Sequence, residues 1–187
     1  MSAASSSPQF VFGYGSLAAD HAGAVAQLRG HRRVWGVAMD NSCDLAGYKH
    51  YLLRCDGSRP RICVAFLDLE PDGRSAVNGV LLAVDDAQLR ALDRRERNYD
   101  RVEVSCQVAS AAGTVWAYVG STQARACLCE ARERGRAVIS RDYLVAVRSG
   151  FAALGPAQAI AFERSTNPSD LELWDLLRVD HGEPRAA

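Results

Sequence analysis

The chain has no net charge. Its 22 lysines and arginines balance its 22 aspartates and glutamates. It therefore presents no electrostatic footprint for nucleic acid or for an anionic membrane. No apolar run approaches the roughly 20 residues that span a bilayer. Residues 1–8 are small and polar, without the basic start and apolar core of a secretory signal. They read as a disordered leader, and residues 179–187 as a flexible tail. That leaves residues 9–178 as a single domain, in a chain of 187 residues with room for one sizeable core. None of the six cysteines (Cys43, Cys55, Cys63, Cys106, Cys127 and Cys129) has a C-x-x-C partner. Without a signal peptide they read as reduced thiols in a cytoplasmic protein. The four histidines, His21, His31, His50 and His181, form no ligand-spaced pair, so no metal and no cofactor is expected. Small or neutral substrates remain open as partners.

What is present begins at residue 9. Residues 9–12 form a short strand of β-formers that runs into Gly13-Tyr14-Gly15-Ser16-Leu17. Glycine lets the backbone curl and lets other groups approach closely. The loop can therefore turn its N–H groups toward one spot, as an anion or oxyanion cradle does. It can equally be a tight turn with no ligand. One specific reading is nucleotide binding: Gly13-x-Gly15-x-x-Ala18 fits the G-x-G-x-x-G/A fingerprint, with Asp40 ending a following strand.

Beyond the loop the patterning predicts a helix over 20–28 stopped by Gly30, a strand over 33–39 and a polar loop over 41–47. Strands follow over 48–54, 61–69 and 77–84, separated by turns at 56–58 and 71–73. A helix starts at Asp85. Next come a strand over 101–108, with Val102, Val104, Cys106 and Val108 facing inward, and a hairpin partner over 115–119. Helices are expected over 122–134, 140–154 and 170–177. Strands joined only by turns must pair mainly antiparallel, and the helices gather late. The class is therefore α+β, with strands enough to curl into a barrel. A doubly wound nucleotide fold would need a helix between successive strands.

The second constellation lies at residues 85–101. Asp85 is a suitable N-cap, Gln88 its capping-box partner, and Val84 with Leu89 a hydrophobic staple. The apolar stripe through Leu89 and Leu92 continues onto Glu96. That carboxylate is either solvated at a frayed helix end or directed into a cleft, where apolar surroundings would suit a general base.

Two stretches carry a family resemblance. Tyr14-Gly15-Ser16-Leu17 resembles the YGSL/YGSN loop of the γ-glutamylcyclotransferase superfamily. Leu92-Asp93-Arg94-Arg95-Glu96, followed by Tyr99-x-Arg101, is similar to that superfamily's LD-x-x-E…Y-x-R segment. Gly79-Val80-Leu81, Leu28-Arg29-Gly30-His31-Arg32-Arg33 (His31 standing for an aromatic) and Ser140-x-x-Tyr143…Gly150 fit further family patterns. The chain departs from the ChaC-like pattern at residues 18–24, where no tryptophan-containing continuation follows.

The resemblance implies a small mixed, mainly antiparallel β-barrel flanked by helices. It implies an enzyme that converts a γ-glutamyl amine, peptide or glutathione to 5-oxoproline, with Glu96 as general acid/base. Tyr14, Gly15, Ser16, Leu17 and Tyr99 are the expected substrate-binding residues. A ligand-binding protein of the same fold without turnover is the alternative, and a dinucleotide-dependent oxidoreductase the third.

Overall fold

The structure, a computed structural model, describes residues 7–20, 23–43, 48–109 and 112–180. Residues 1–6 of the expected leader (1–8) and 181–187 of the expected tail (179–187) lie outside these, as do 44–47 of the polar loop.

The architecture is α+β around one large, mainly antiparallel sheet. Its spine is the 22-residue strand β4 (Cys63–Val84). One face of β4 takes β2 (Ala24–Asp40) along almost its whole length, antiparallel, from Asp40 opposite Cys63 to Ala24 opposite Leu81. The C-terminal end of β4 pairs antiparallel with β1 (Gln9–Gly13). Its start pairs parallel with the short β7 (Ala137–Ser140), which carries β8 (Glu172–Trp174). On the other side of β1 lies β6 (Thr114–Gly120), which forms a hairpin with β5 (Tyr99–Glu103). A separate two-stranded sheet joins β3 (Lys49–Leu53) to β9 (Leu176–Asp180). β9 thus runs through Val179 and Asp180, two residues past the expected domain edge.

The helices are α1 (Ser16–Asp20), α2 (Asp86–Arg95), α3 (Thr122–Glu133), α4 (Arg141–Ala153) and α5 (Pro156–Ser165). None of the described helices is long and apolar enough to cross a membrane.

The patterning explains most of this order. Residues 63–69 are buried without a break, as suits a strand covered on both faces. The expected strands at 61–69 and 77–84 are two halves of this one strand. Pro71-Asp72-Gly73 does turn, but as a bulge. Arg29 faces Ala76 and His31 faces Pro71, which leaves 72–75 looped out opposite Gly30. Asp72 closes that loop through Arg74 N–H and the Ser75 hydroxyl, and Gly30 takes a left-handed φ of 76°.

Three expectations are corrected. The helix over 20–28 is absent: α1 ends at Asp20, and residues 24–28 belong to β2, where pairing with β4 overrides alanine's helix propensity. Residues 170–177 are not helical but contribute β8 and β9. Their leucines fit both periods, and strand partners β7 and β3 decide between them. The strand expected over 101–108 stops at Glu103, and a 3-10 turn follows at Ser105–Gln107. Val102 is 43% exposed and Cys106 is exposed, so only Val104 and Val108 face inward. α5 and β7 went unforeseen; Gly155-Pro156, with Gly155 at φ 111°, was the available start signal for α5.

The βαβ unit that a nucleotide fingerprint requires does not form. β1 and β2 each lie antiparallel to β4, and among the described residues no helix separates β2, β3 and β4.

Candidate functional site

β1 delivers the loop at residues 13–17 to one end of the sheet, and three close approaches fix its shape. Gly79 on β4 lies under it, where a Cβ would stand 2.3 Å from the Gly13 carbonyl oxygen. A Cβ on Gly15 would stand 3.3 Å from the Tyr143 hydroxyl, so the loop backbone is packed against that phenol. Behind the loop, α1 packs on α4 at Gly150, where a Cβ would meet Ala19 at 2.4 Å. Glycine is therefore required at 79 and 150 by space, not by backbone angle.

Arg33 holds the loop from beneath. It is fully buried, with its guanidinium 4.9 and 4.5 Å from the centroids of the Phe151 and Phe162 rings, which stack on each other at 4.7 Å. Its Nε donates to the Tyr14 carbonyl at 2.8 Å. Its other nitrogens donate to the Asn78 carbonyl at 2.5 Å, to Ser165 Oγ and to Thr166 Oγ1. Burial lowers its proton affinity to about 9, which leaves it charged at neutral pH. Tyr14 turns its side chain into the core, and its hydroxyl donates to the Tyr118 carbonyl at 2.6 Å.

Glu96 arrives from the other side of the chain. The capping box forms as read: Asp85 Oδ1 accepts from Gln88 N–H at 2.7 Å, and Gln88 Oε1 from Asp85 N–H at 2.9 Å. Leu89 is buried and Leu92 partly so. α2 therefore presents its stripe to the core and ends with Glu96 as C-cap, its N–H bonded to the Leu92 carbonyl. Asp93 pins that end. It accepts from the Tyr118 hydroxyl at 2.8 Å and pairs with Arg101 at 3.1 Å. The Glu96 carbonyl then accepts from Tyr99 N–H at 3.0 Å, which turns the chain into β5. The Glu96 side chain is 15% exposed, with Arg95 Nε 3.4 Å from its carboxylate.

The two constellations meet. Tyr14, Gly15, Ser16, Leu17, Glu96 and Tyr99 line one narrow cavity, completed by Phe12, Leu67, Tyr118 and Tyr143. Its volume is about 30 Å³. Burial first, and the Glu96 charge among the lesser causes, push the phenols of Tyr14, Tyr99, Tyr118 and Tyr143 above their usual range. The carboxylate is thus surrounded by phenols that keep their protons at neutral pH.

Larger hollows lie elsewhere, including one of about 340 Å³ beside Asp68 and Arg125 and one of about 460 Å³ beside Arg32 and Asp72. Their carboxylates are already engaged: Asp68 accepts from Gly120 N–H and Arg125, and Asp72 from Ser75. Size does not choose the site; the cavity that Glu96 shares with Gly15, Ser16 and Leu17 does. Among the described residues, no three His, Cys, Asp or Glu side chains gather as a metal would require.

Sequence reasoning did not assign roles to Arg33, Tyr118 or Tyr143. Arg33 and Tyr143 stand inside patterns already noted. Tyr118 offered only an inward position on a strand.

A family model described as γ-glutamyl cyclotransferase, AIG2-like, matches residues 11–144. No curated protein matches the chain. Among solved structures, a protein titled γ-glutamyl cyclotransferase is similar at 15% identity and a TM-score of 0.53, over 87% of this chain and 90% of its own. A yeast γ-glutamyl cyclotransferase titled as specific to glutathione is similar at 13% identity and 0.52, over 88% and 99%. An uncharacterized protein from Homo sapiens is similar at 16% identity and 0.52, over 88% and 90%. These likenesses agree with the observed fold. With its loop and its Glu96 segment both inside the matched residues, the chain belongs to the γ-glutamyl cyclotransferase, AIG2-like, family.

Proposed function

We propose that this chain cyclises a γ-glutamyl compound to 5-oxoproline and releases the attached amine, amino acid or peptide. The observation that carries the reading is that Glu96 lines the same cavity as Gly15, Ser16 and Leu17, from which it is separated by about 80 residues of chain. The substrate's own α-amine is the nucleophile. It attacks the γ-carbonyl carbon to close a five-membered ring, and the bond from that carbon to the leaving nitrogen breaks. One proton leaves the α-amine and one arrives on the leaving nitrogen, so a single carboxylate that accepts and returns a proton balances the step. Glu96 takes that part. The loop N–H groups hold the glutamyl portion and its developing oxyanion. Tyr14 and Tyr99 shape the wall, their hydroxyls being spent on the carbonyls of Tyr118 and Leu67. A bound, folded pose supplies the rest, because oriented intramolecular attack reaches effective molarities of about 10⁵–10⁸ M. The reducing cytoplasm suits a chain whose six cysteines are all free.

The test is a panel of γ-glutamyl compounds, comprising glutathione, γ-glutamyl dipeptides and γ-glutamylamines, scored by release of 5-oxoproline. Release from at least one member is expected. Binding without release across the panel would favour the non-catalytic alternative, and neither binding nor release would sink the reading.

A further inference from the structure

Cys63 and Cys127 take no part in the proposed reaction, yet the fold brings them together across 64 residues of chain. Cys63 opens β4, paired with Asp40 of β2 and Ala137 of β7, and is 3% exposed. Cys127 lies in the middle of α3, half-buried, and packs against the main core. Their sulfurs stand 3.8 Å apart. The other four cysteines are exposed. Cys129 shares α3 with Cys127, but residues two apart face different sides of a helix.

The two sulfurs are unequal. Their mutual contact holds the Cys127 thiol below its usual range, and the same contact, with burial, pushes the Cys63 thiol up. Arg136 adds a positive charge that favours the thiolate at both, against Asp40 and Glu130 on the acidic side. The Arg136 carbonyl accepts from Cys63 N–H at 2.9 Å, which seats that residue beside the pair. Its Nε is buried and, among the described residues, has no hydrogen-bond partner. One partly exposed sulfur thus sheds its proton more readily, and a buried sulfur in contact with it keeps its own. An attacking thiol and a resolving thiol need that division of roles.

We propose that Cys63 and Cys127 form a dithiol that peroxide oxidises to a disulfide, Cys127 attacking the oxidant and Cys63 resolving the product. First, the Cys127 thiolate attacks one oxygen of hydrogen peroxide. The O–O bond breaks, the sulfur gives up two electrons and becomes S–OH, and the other oxygen leaves as hydroxide. That hydroxide takes up the proton the thiol had shed. The Cys63 sulfur then attacks the Cys127 sulfur, the S–O bond breaks, and the departing hydroxide takes the Cys63 proton as water. In sum, two thiols and one peroxide give one disulfide and two waters. The sulfurs close from 3.8 Å to about 2.05 Å, which draws α3 against the start of β4. A dithiol reductant reverses the bond by exchange.

The test starts from the full chain, fully reduced, freed of reductant and treated with stoichiometric hydrogen peroxide. Denaturing titration should lose two of the six thiols. Peptide mapping should join Cys63 to Cys127 within one chain, and dithiothreitol should return both thiols. Cys63→Ser removes the resolving sulfur, so a 1,3-dione that traps sulfenic acids should label Cys127 ahead of the exposed Cys129. Cys127→Ser should form no disulfide and leave Cys63 unlabelled, whereas Cys129→Ser should lose its two thiols at the parent rate. Retention of all six thiols by the parent chain would reduce the pair to core packing and overturn the inference. So would a loss that dithiothreitol does not reverse, a disulfide mapped to another pair or between chains, or Cys129 labelled ahead of Cys127. The mapping on the parent chain decides the matter even where a serine variant fails to fold.

Discussion

At the scale of single residues, the buried Arg33 and the half-buried Lys49 are two cations with opposite circumstances. Arg33 is saturated. Its forked donors reach two backbone carbonyls, Tyr14 and Asn78, and two hydroxyls. Arg33→Met strands both carbonyls, and each buried unsatisfied group costs about 1–3 kcal/mol. The urea midpoint should therefore drop by at least about 2 kcal/mol in stability. Arg33→Lys should not rescue it, since an ammonium cannot fork; a parent-like midpoint for Arg33→Lys would refute this role. Lys49 has no ion pair with a carboxylate among the described residues, and burial holds its folded-state proton affinity at about 8, below the ordinary 10.5. Below pH 8 the ammonium is charged in both states, and folding carries the whole penalty. Between about 8 and 10.5 the unfolded chain binds the extra proton, so this residue's contribution to stability rises with pH. Lys49→Met should consequently be more stable than the parent at pH 7, with the gap closing as pH climbs through that window. Parallel stability curves for the two proteins would contradict it.

At the scale of elements, the helix that carries Glu96 is over-specified. It has a reciprocal N-terminal cap, a buried stripe and a C-terminal clamp of Asp93 with Tyr118 and Arg101. Asp85→Ala removes the N-terminal cap alone and should cost about 1 kcal/mol. Turnover should be retained, because the clamp at the other end holds Glu96. A loss of activity that outran the loss of stability would show the clamp to be insufficient. Gly150→Ala drives a methyl into Ala19 and should cost about 1–3 kcal/mol while shifting α1 and the loop ahead of it. Elements with local signals were legible: the cap at Asp85, the loop glycines, and the hairpin of β5 and β6. Those that were not legible are settled by distant partners. Residues 24–28 look helical until β4 pairs with them, and β8 and β9 exist only because β7 and β3 wait for them. Asp72-Gly73 carried true turn chemistry, yet a matching irregularity in β2 lets the strand pass through it.

At the scale of the whole molecule, one long strand makes the site possible. β4 carries β1 and its loop at one end, leads straight into α2, and supplies Leu67 to the cavity wall. The stripe argument placed Glu96 on an inward face, but only the topology brings that face to the loop. The thiols follow the same whole-molecule logic. Cys63 and Cys127 lie 3.8 Å apart, well beyond the roughly 2.05 Å of an S–S bond, and all six cysteines are free. Titration under denaturing, non-reducing conditions should return six thiols; fewer would point to a disulfide. The central claim is that Glu96 moves the proton, and Glu96→Gln tests it most directly, because the amide keeps the shape and loses the base. On a γ-glutamyl substrate that the parent chain cyclises, 5-oxoproline release should fall by about 10²–10⁴-fold. The melting temperature and ligand binding should be preserved, and Glu103→Gln, on an exposed residue whose carboxylate accepts from the Ser105 hydroxyl, should leave the rate unchanged. Near-parent release by Glu96→Gln would contradict the account and reduce that carboxylate to a helix cap.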